Sequence, residues 1–216
     1  MEINILYKDK GLLLCIKPAG VLSESPGMPE LLKEQLGGDI FPIHRLDRAV
    51  GGLMLYGRTK QAAGKLSGLV SNRSLEKRYL AVVEGCPEEK EGTFKDLLFK
   101  DSAKNKSYVV KRPRKGVKEA ELNYRVLKTD GEKSLVEIKL LTGRSHQIRV
   151  QFASRKMPLL GDVKYGSTYK DCPLSLWSKA LSFTHPFTGK AMDFEVLPPN
   201  EYPWNEFTEY KENDNG

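Results

Sequence analysis

The chain has 216 residues, 39% of them apolar, enough for one large domain or two small ones with an ordinary core. The N-terminus MEINILYKDK carries polar residues where a secretory leader would be apolar, and no run of about 18 apolar residues occurs, so a soluble cytoplasmic protein without a membrane span is expected. The net charge of +7 points to an anionic partner, while Cys15, Cys86 and Cys172, odd in number and without a CxxC pair, argue against a disulfide framework and a structural zinc site.

In chain order, residues 3–7 and 12–17 read as strands around a turn at Asp9, and Lys17-Pro18-Ala19-Gly20 breaks the pattern. A short helix follows Pro29. The stretch FPIHRLDRAVGGLMLY (41–56) then places one carboxylate, Asp47, among His44, Arg45 and Arg48. A neighbouring guanidinium lowers a carboxylate pKa by about 1 to 3 units, so Asp47 is expected as an anion able to act as nucleophile or base. The plain alternative is a surface ion pair of little worth. Gly51 and Gly52 let the backbone approach another segment closely, and Leu53, Met54 and Leu55 read as a buried strand. Thr59 is the expected N-cap of a helix carrying Ala62, Ala63, Leu66, Leu69 and Val70 inward.

Residues 78–84, 93–99, 106–111, 119–128 and 135–141 read as strands. Tyr79 opens the first of them, where its ring could stack on a base or shuttle a proton, or simply join the core. From Lys100 to Lys118 eight cations, among them Lys111, Arg112 and Arg114, face the single acid Asp101; the difference equals the net charge of the whole chain. This stripe is either a solvated hairpin or a phosphate-tracking surface. Thr142-Gly143 ends the strand run, and Ser145 is the expected cap of a helix reaching about Arg155, with Ile148, Phe152 and Ala153 towards the core. Within TGRSHQIR (142–149), Arg144 precedes that helix and could grip a carboxylate with both arms of its fork, Asp47 being the carboxylate that asks for a partner; alternatively Arg144 and Arg149 solvate the surface. Residues 178–184 and 192–196 form a last strand pair joined through HPFTG. The polar tail EYKENDNG is expected to fray. With no repeat and no low-complexity linker, the pattern implies a single α+β domain over residues 1–216, core about 3–199, built on a curved, mostly antiparallel sheet.

Taken together, ILYKDKGLLLCIKPAGVLS, HRLDRAVGGLMLYGRT, KRYLAVVEG, TGRSHQIRVQFASRKMPLLGDVKYG and LSFTHPFTGKAMDFEVLPP resemble the RluA-type pseudouridine synthases, in family order. The resemblance implies the pseudouridine synthase fold, a mixed sheet with flanking helices. It implies Asp47 as the catalytic residue, Tyr79 as a base contact implicated in proton transfer, and Arg144 as the partner of Asp47. Arg45 would displace and replace the flipped uridine. His44, Arg48, His146 and Arg149, in the same motifs, are expected to contact substrate. Two positions depart from the usual pattern: Val50-Gly51 stands where relatives have Thr-Ser, and Ser145 where they have Thr. The chain opens on the catalytic-domain strands, so RNA affinity is expected to come from that domain, Lys111, Arg112 and Arg114 included.

Uridine isomerisation breaks a C–N glycosidic bond, turns the uracil and joins its C5 to C1′, with no redox change, so no cofactor is expected. An aspartate anion can attack C1′ as retaining glycosidases do, or take a proton from the sugar. Extruding the base costs a few kcal/mol, part of which Arg45 would offset by stacking in the vacated place. The expected partner is ribosomal or transfer RNA, the expected state a monomer. Two other classes compete. A metal-dependent hydrolase could use His44, Asp47, His146 and His185, but Arg45, Arg48 and Arg144 would repel a divalent cation, and His185 reads better as a turn residue. A catalytically inactive RNA-binding module would not need Asp47, Tyr79 and Arg144 together.

Overall fold

Strands outweigh helices in the structure, a computed structural model that describes residues 1–207; the tail EYKENDNG lies outside the described residues. The elements are β1 (Ile5–Lys8), β2 (Leu12–Lys17), α1 (Met28–Leu36), β3 (Phe41–Pro42), β4 (Gly51–Gly57), α2 (Lys60–Ser71), β5 (Glu76–Glu84), β6 (Glu91–Asp101), β7 (Lys106–Val110), β8 (Val117–Thr129), β9 (Lys133–Leu140), α3 (Gln147–Ala153), β10 (Leu176–Thr184) and β11 (Ala191–Glu195). The class is α+β, as the strand-rich pattern implies. By backbone contacts the chain divides into two units, residues 1–78 with 177–197, and residues 79–176 with 198 onward.

In the first unit β1, β2 and β4 pair antiparallel, β10 lies parallel to β4, and β11 and β3 pair antiparallel with β10 and β4. Alternation in LLLCIK sends Leu12 and Leu14 to one face, where Leu53 and Leu55 of β4, Leu66 of α2, Leu181 and Phe183 complete a cluster. Leu13 and Cys15 on the other face are equally enclosed, so β2 is buried on both faces. Each fully buried Leu contributes about 1.5–3 kcal/mol. Helix α2 starts as expected: the Thr59 hydroxyl accepts the Ala62 amide proton at 3.1 Å. Burial pushes the Cys15 thiol up to about 12, an inert reduced side chain.

In the second unit the strand order is β5-β9-β8-β6-β7, with β8 antiparallel to β9 and β6, and β6 antiparallel to β7. Leu98 and Ala120 meet Val150 of α3, and Phe94, Tyr124 and Phe152 form an aromatic cluster with centroids 4.6–6.0 Å apart. Leu80 and Val82 of β5 pack with Leu135, Leu160 and Phe207. Helix α3 differs from expectation. Its N-cap is His146, in the left-handed region at φ 52°, with no side-chain cap, and it ends at Ala153. Ser145 does not cap it. The Gln147 side chain organises the entry instead: Oε1 accepts from the Arg144 amide at 3.0 Å and the Thr142 hydroxyl at 2.8 Å, and Nε2 donates to the Glu121 carbonyl at 3.1 Å.

Candidate active site

Asp47 sits on the loop between β3 and β4, and the residues on both sides of it are pinned. The Ser23 hydroxyl accepts the Leu46 amide proton at 2.9 Å and donates to the Leu46 carbonyl at 2.6 Å. On the other side the Arg48 carbonyl takes the Gly20 amide at 2.8 Å and the Lys17 ammonium at 3.2 Å, while Arg48 Nε donates to the Gly20 carbonyl at 2.8 Å. The turn closes with Val50 N–H donating to the Asp47 carbonyl at 3.0 Å. Two loops, residues 17–23 and 44–50, thus hold each other. Such a frame fixes a reacting group without spending substrate binding energy on ordering it.

Lys17, fully buried, was not singled out in the sequence. Its ammonium donates to the carbonyls of Pro18 at 2.9 Å, Val21 at 2.7 Å and Arg48 at 3.2 Å, so all three protons are used. Burial pushes its pKa down to about 8, and the negative charge of Asp47 opposes that fall. Lys17 is therefore a buried cation that senses Asp47. A lysine closing an otherwise apolar strand was the available signal. The two flanking arginines point elsewhere: Arg45 approaches Glu24 at 3.9 Å and Arg48 holds Gly20.

Gly51 and Gly52 have the expected close approach. A Cβ on Gly51 would lie 2.5 Å from the Trp177 ring, and Gly52, at φ +113°, would meet the Ser178 carbonyl at 2.4 Å. The glycine that stands in the usual Thr-Ser place is thus required by the strand packed beside it.

His44 departs from its expected role as a substrate contact. Its Nε2 accepts the Leu55 amide proton at 3.1 Å, and its Nδ1 is enclosed with no hydrogen-bond partner among the described residues. Burial, with the charge of Lys77, pushes its pKa down to about 3. The ring is a neutral latch between the loop and β4. Arg149 is also corrected. It is buried and grips Asp162 with both arms, at 2.7 and 2.8 Å, with its guanidinium 5.1 Å from the Tyr165 ring. A guanidinium so committed ties α3 to the segment that carries Asp162.

In the second unit Tyr79 is buried on β5, on the face opposite Leu80 and Val82. Arg144 donates from Nε to the Glu119 carbonyl at 2.8 Å, which leaves its two terminal nitrogens without an acceptor among the described residues. His146 Nδ1 lies 2.9 Å from the Tyr165 hydroxyl. Lys111, Arg112 and Arg114 are exposed on the loop between β7 and β8. In the first unit, His185 has the expected turn role: Nδ1 accepts from the Phe187 and Thr188 amides, and Nε2 lies 2.7 Å from Asp9. Among the described residues no three His, Cys, Asp or Glu side chains gather as a metal site, and no helix is long and apolar enough to cross a membrane.

Residues 11–154 match the RNA pseudouridylate synthase family. The chain is 30% identical over 242 residues to tRNA pseudouridine synthase C of Haemophilus ducreyi, covering 97% of this chain and 99% of that one. It is 31% identical over 226 residues to ribosomal large subunit pseudouridine synthase D of Zymomonas mobilis, covering 93% and 71%. The fold resembles human RNA pseudouridylate synthase domain containing 1 with a TM-score of 0.79 at 22% identity, over 93% of this chain and 85% of that one. Human RNA pseudouridylate synthase domain containing 4 gives 0.76 at 24% identity, over 91% and 88%. The chain belongs to the RNA pseudouridylate synthase family, as an RluA-type enzyme that isomerises uridine to pseudouridine in RNA.

Proposed function

We propose that this enzyme modifies a uridine of transfer or ribosomal RNA and that Asp47 is its catalytic carboxylate. The observation that carries the assignment is the frame around Asp47: Leu46 and Arg48 are both fixed by residues 17–23, so the carboxylate between them is preorganised. In the reaction Asp47 attacks C1′ or takes a sugar proton, the uracil detaches, turns and rejoins through C5, and the C5 proton leaves. Tyr79 contacts the base and moves that proton. Arg144 takes the role of charge partner to Asp47. These two roles rest on the KRYLA and TGRSHQ motifs in which the residues stand.

Arg45, exposed beside Asp47, fills the place of the extruded base, and Arg48 and His146 contact the RNA backbone. Lys111, Arg112 and Arg114 supply sequence-independent affinity through phosphates. No cofactor takes part. The nearly end-to-end match to the Haemophilus protein supports reading residues 1–216 as one catalytic domain; the enzyme is proposed to act in the cytoplasm as a monomer. Mapping pseudouridine at nucleotide resolution in cells with and without the gene tests the substrate class. Loss of one or more sites in transfer or ribosomal RNA is expected; an unchanged map in both would contradict it.

A further inference from the structure

The ribbon of β6, β7 and β8 carries aromatic rings among cations on the face turned away from α3. Antiparallel register sets Tyr108 of β7 opposite Phe99 of β6, and Phe99 opposite Val117 of β8. Side chains so opposed lie about 4.5–5.5 Å apart at Cβ, which makes the row one patch. Alternation sends Leu98 and Ala120 to the other face, against Val150. Tyr108 stays 36% exposed on an edge strand. The loop of residues 111–116 leaves β7 level with Leu97 and rejoins β8 level with Phe99, so it crosses β6. In crossing, it lays the Arg114 guanidinium 4.7 Å from the Phe99 ring centroid, and it exposes Lys111, Arg112 and Lys115 around the patch.

A solubilising hairpin accounts for the lysines, which also blunt an edge strand. It accounts neither for an exposed tyrosine in their midst nor for a guanidinium seated over a phenyl ring. Both are surfaces on which unstacked bases pack. We propose that this patch binds a single-stranded segment of the RNA substrate: the Tyr108 ring takes one base and the Arg114 guanidinium, backed by Phe99, takes its neighbour. Lys111, Arg112 and Lys115 meet the phosphates on either side. The assignment rests on the reading of the chain as an enzyme acting on RNA, and the eight cations against one acid between Lys100 and Lys118 supply the charge complementarity. Duplex RNA keeps its bases stacked and offers nothing to either surface.

The test is fluorescence anisotropy with a labelled oligouridylate and with a duplex of oligouridylate and oligoadenylate. Tyr108→Ala is expected to weaken oligouridylate binding about fivefold or more, to leave duplex binding unchanged, and to leave the salt slope unchanged because no charge is lost. Tyr108→Phe, which keeps the ring, is expected to bind as the wild type does. Wild-type affinity of Tyr108→Ala for oligouridylate, or equal losses on strand and duplex, would overturn the proposal. Isomerase activity on total RNA, followed in parallel, separates the two levels: an active enzyme indifferent to Tyr108 has no such patch, whereas a wild type that modifies no RNA fails at the underlying reading.

Discussion

The ammonium of Lys17 donates to the carbonyl of Arg48, one residue beyond Asp47, across 31 positions of sequence at 3.2 Å. Two further carbonyls, of Pro18 and Val21, complete its shell. The contact ties the end of β2 to the loop that carries the proposed catalytic carboxylate, and the charge of Asp47 opposes the fall that burial imposes on the pKa of the amine.

Replacing Lys17 by Met would leave three carbonyls without their donor. A stability loss of about 1–3 kcal/mol is expected from urea denaturation, together with a fall in kcat. The pH dependence has a definite sign. The folded pKa of about 8 lies below the ordinary 10.5, so the unfolded chain binds the extra proton between them. The burial penalty is full below pH 8 and fades towards 10.5, and over that window the wild type should gain stability relative to Lys17→Met. A constant difference would mean that the amine titrates normally.

Ser23 acts on the other flank. Ser23→Ala removes both partners of the Leu46 backbone at once, at a cost of about 1–3 kcal/mol. Because misplacing a reacting group by about an ångström can cost a hundredfold in rate, kcat should fall steeply while KM, set by phosphate contacts, moves little. A variant with unchanged kcat would show that the clamp does not position Asp47.

His44 predicts a second pH effect of the same direction at the acid end. Its folded pKa of about 3 lies below the ordinary 6.5, so its contribution is complete above pH 6.5 and lost as pH falls towards 3. His44→Leu should lose less stability than the wild type between about pH 6.5 and 5, above the range where carboxylates dominate. Equal losses would place the imidazole in water.

Arg149 and the basic loop should separate cleanly in their responses. Arg149→Met leaves Asp162 as an uncompensated buried charge and is expected to cost about 3–5 kcal/mol, with much of the loss recovered by adding Asp162→Leu and with the salt dependence of RNA binding unchanged. Charge reversal at Lys111, Arg112 and Arg114 should weaken RNA binding and flatten its dependence on salt, at little cost in stability. An unaltered slope would return these three residues to the solvated surface.

What could be read from the sequence was what is local. The apolar run LLLCIK, the Thr59 cap and the inward spacing of Ala62 and Leu66 each act within a few residues, and the structure has them. The Asp47 loop stood out for the same reason, as charges beside two glycines. The supports of that loop lay out of reach because Ser23 and Lys17 meet it from more than 20 positions away, and neither serine nor lysine signals such a contact. Arg149 misled because a guanidinium in a basic motif looks the same whether it meets phosphate or a buried carboxylate 13 residues on. Ser145 looked like a cap, yet the helix entry is held by the side chain of Gln147, inside the helix it starts.

The most direct measurement is tritium release from RNA labelled at uridine C5, with wild-type enzyme and with Asp47→Asn, alongside RNA affinity at one fixed salt concentration. The exchange of one carboxylate oxygen for an amide removes the nucleophile or base and leaves the phosphate contacts in place. Asp47 as the catalytic carboxylate predicts no release above background and RNA affinity close to that of the wild type; release at the wild-type rate would contradict it.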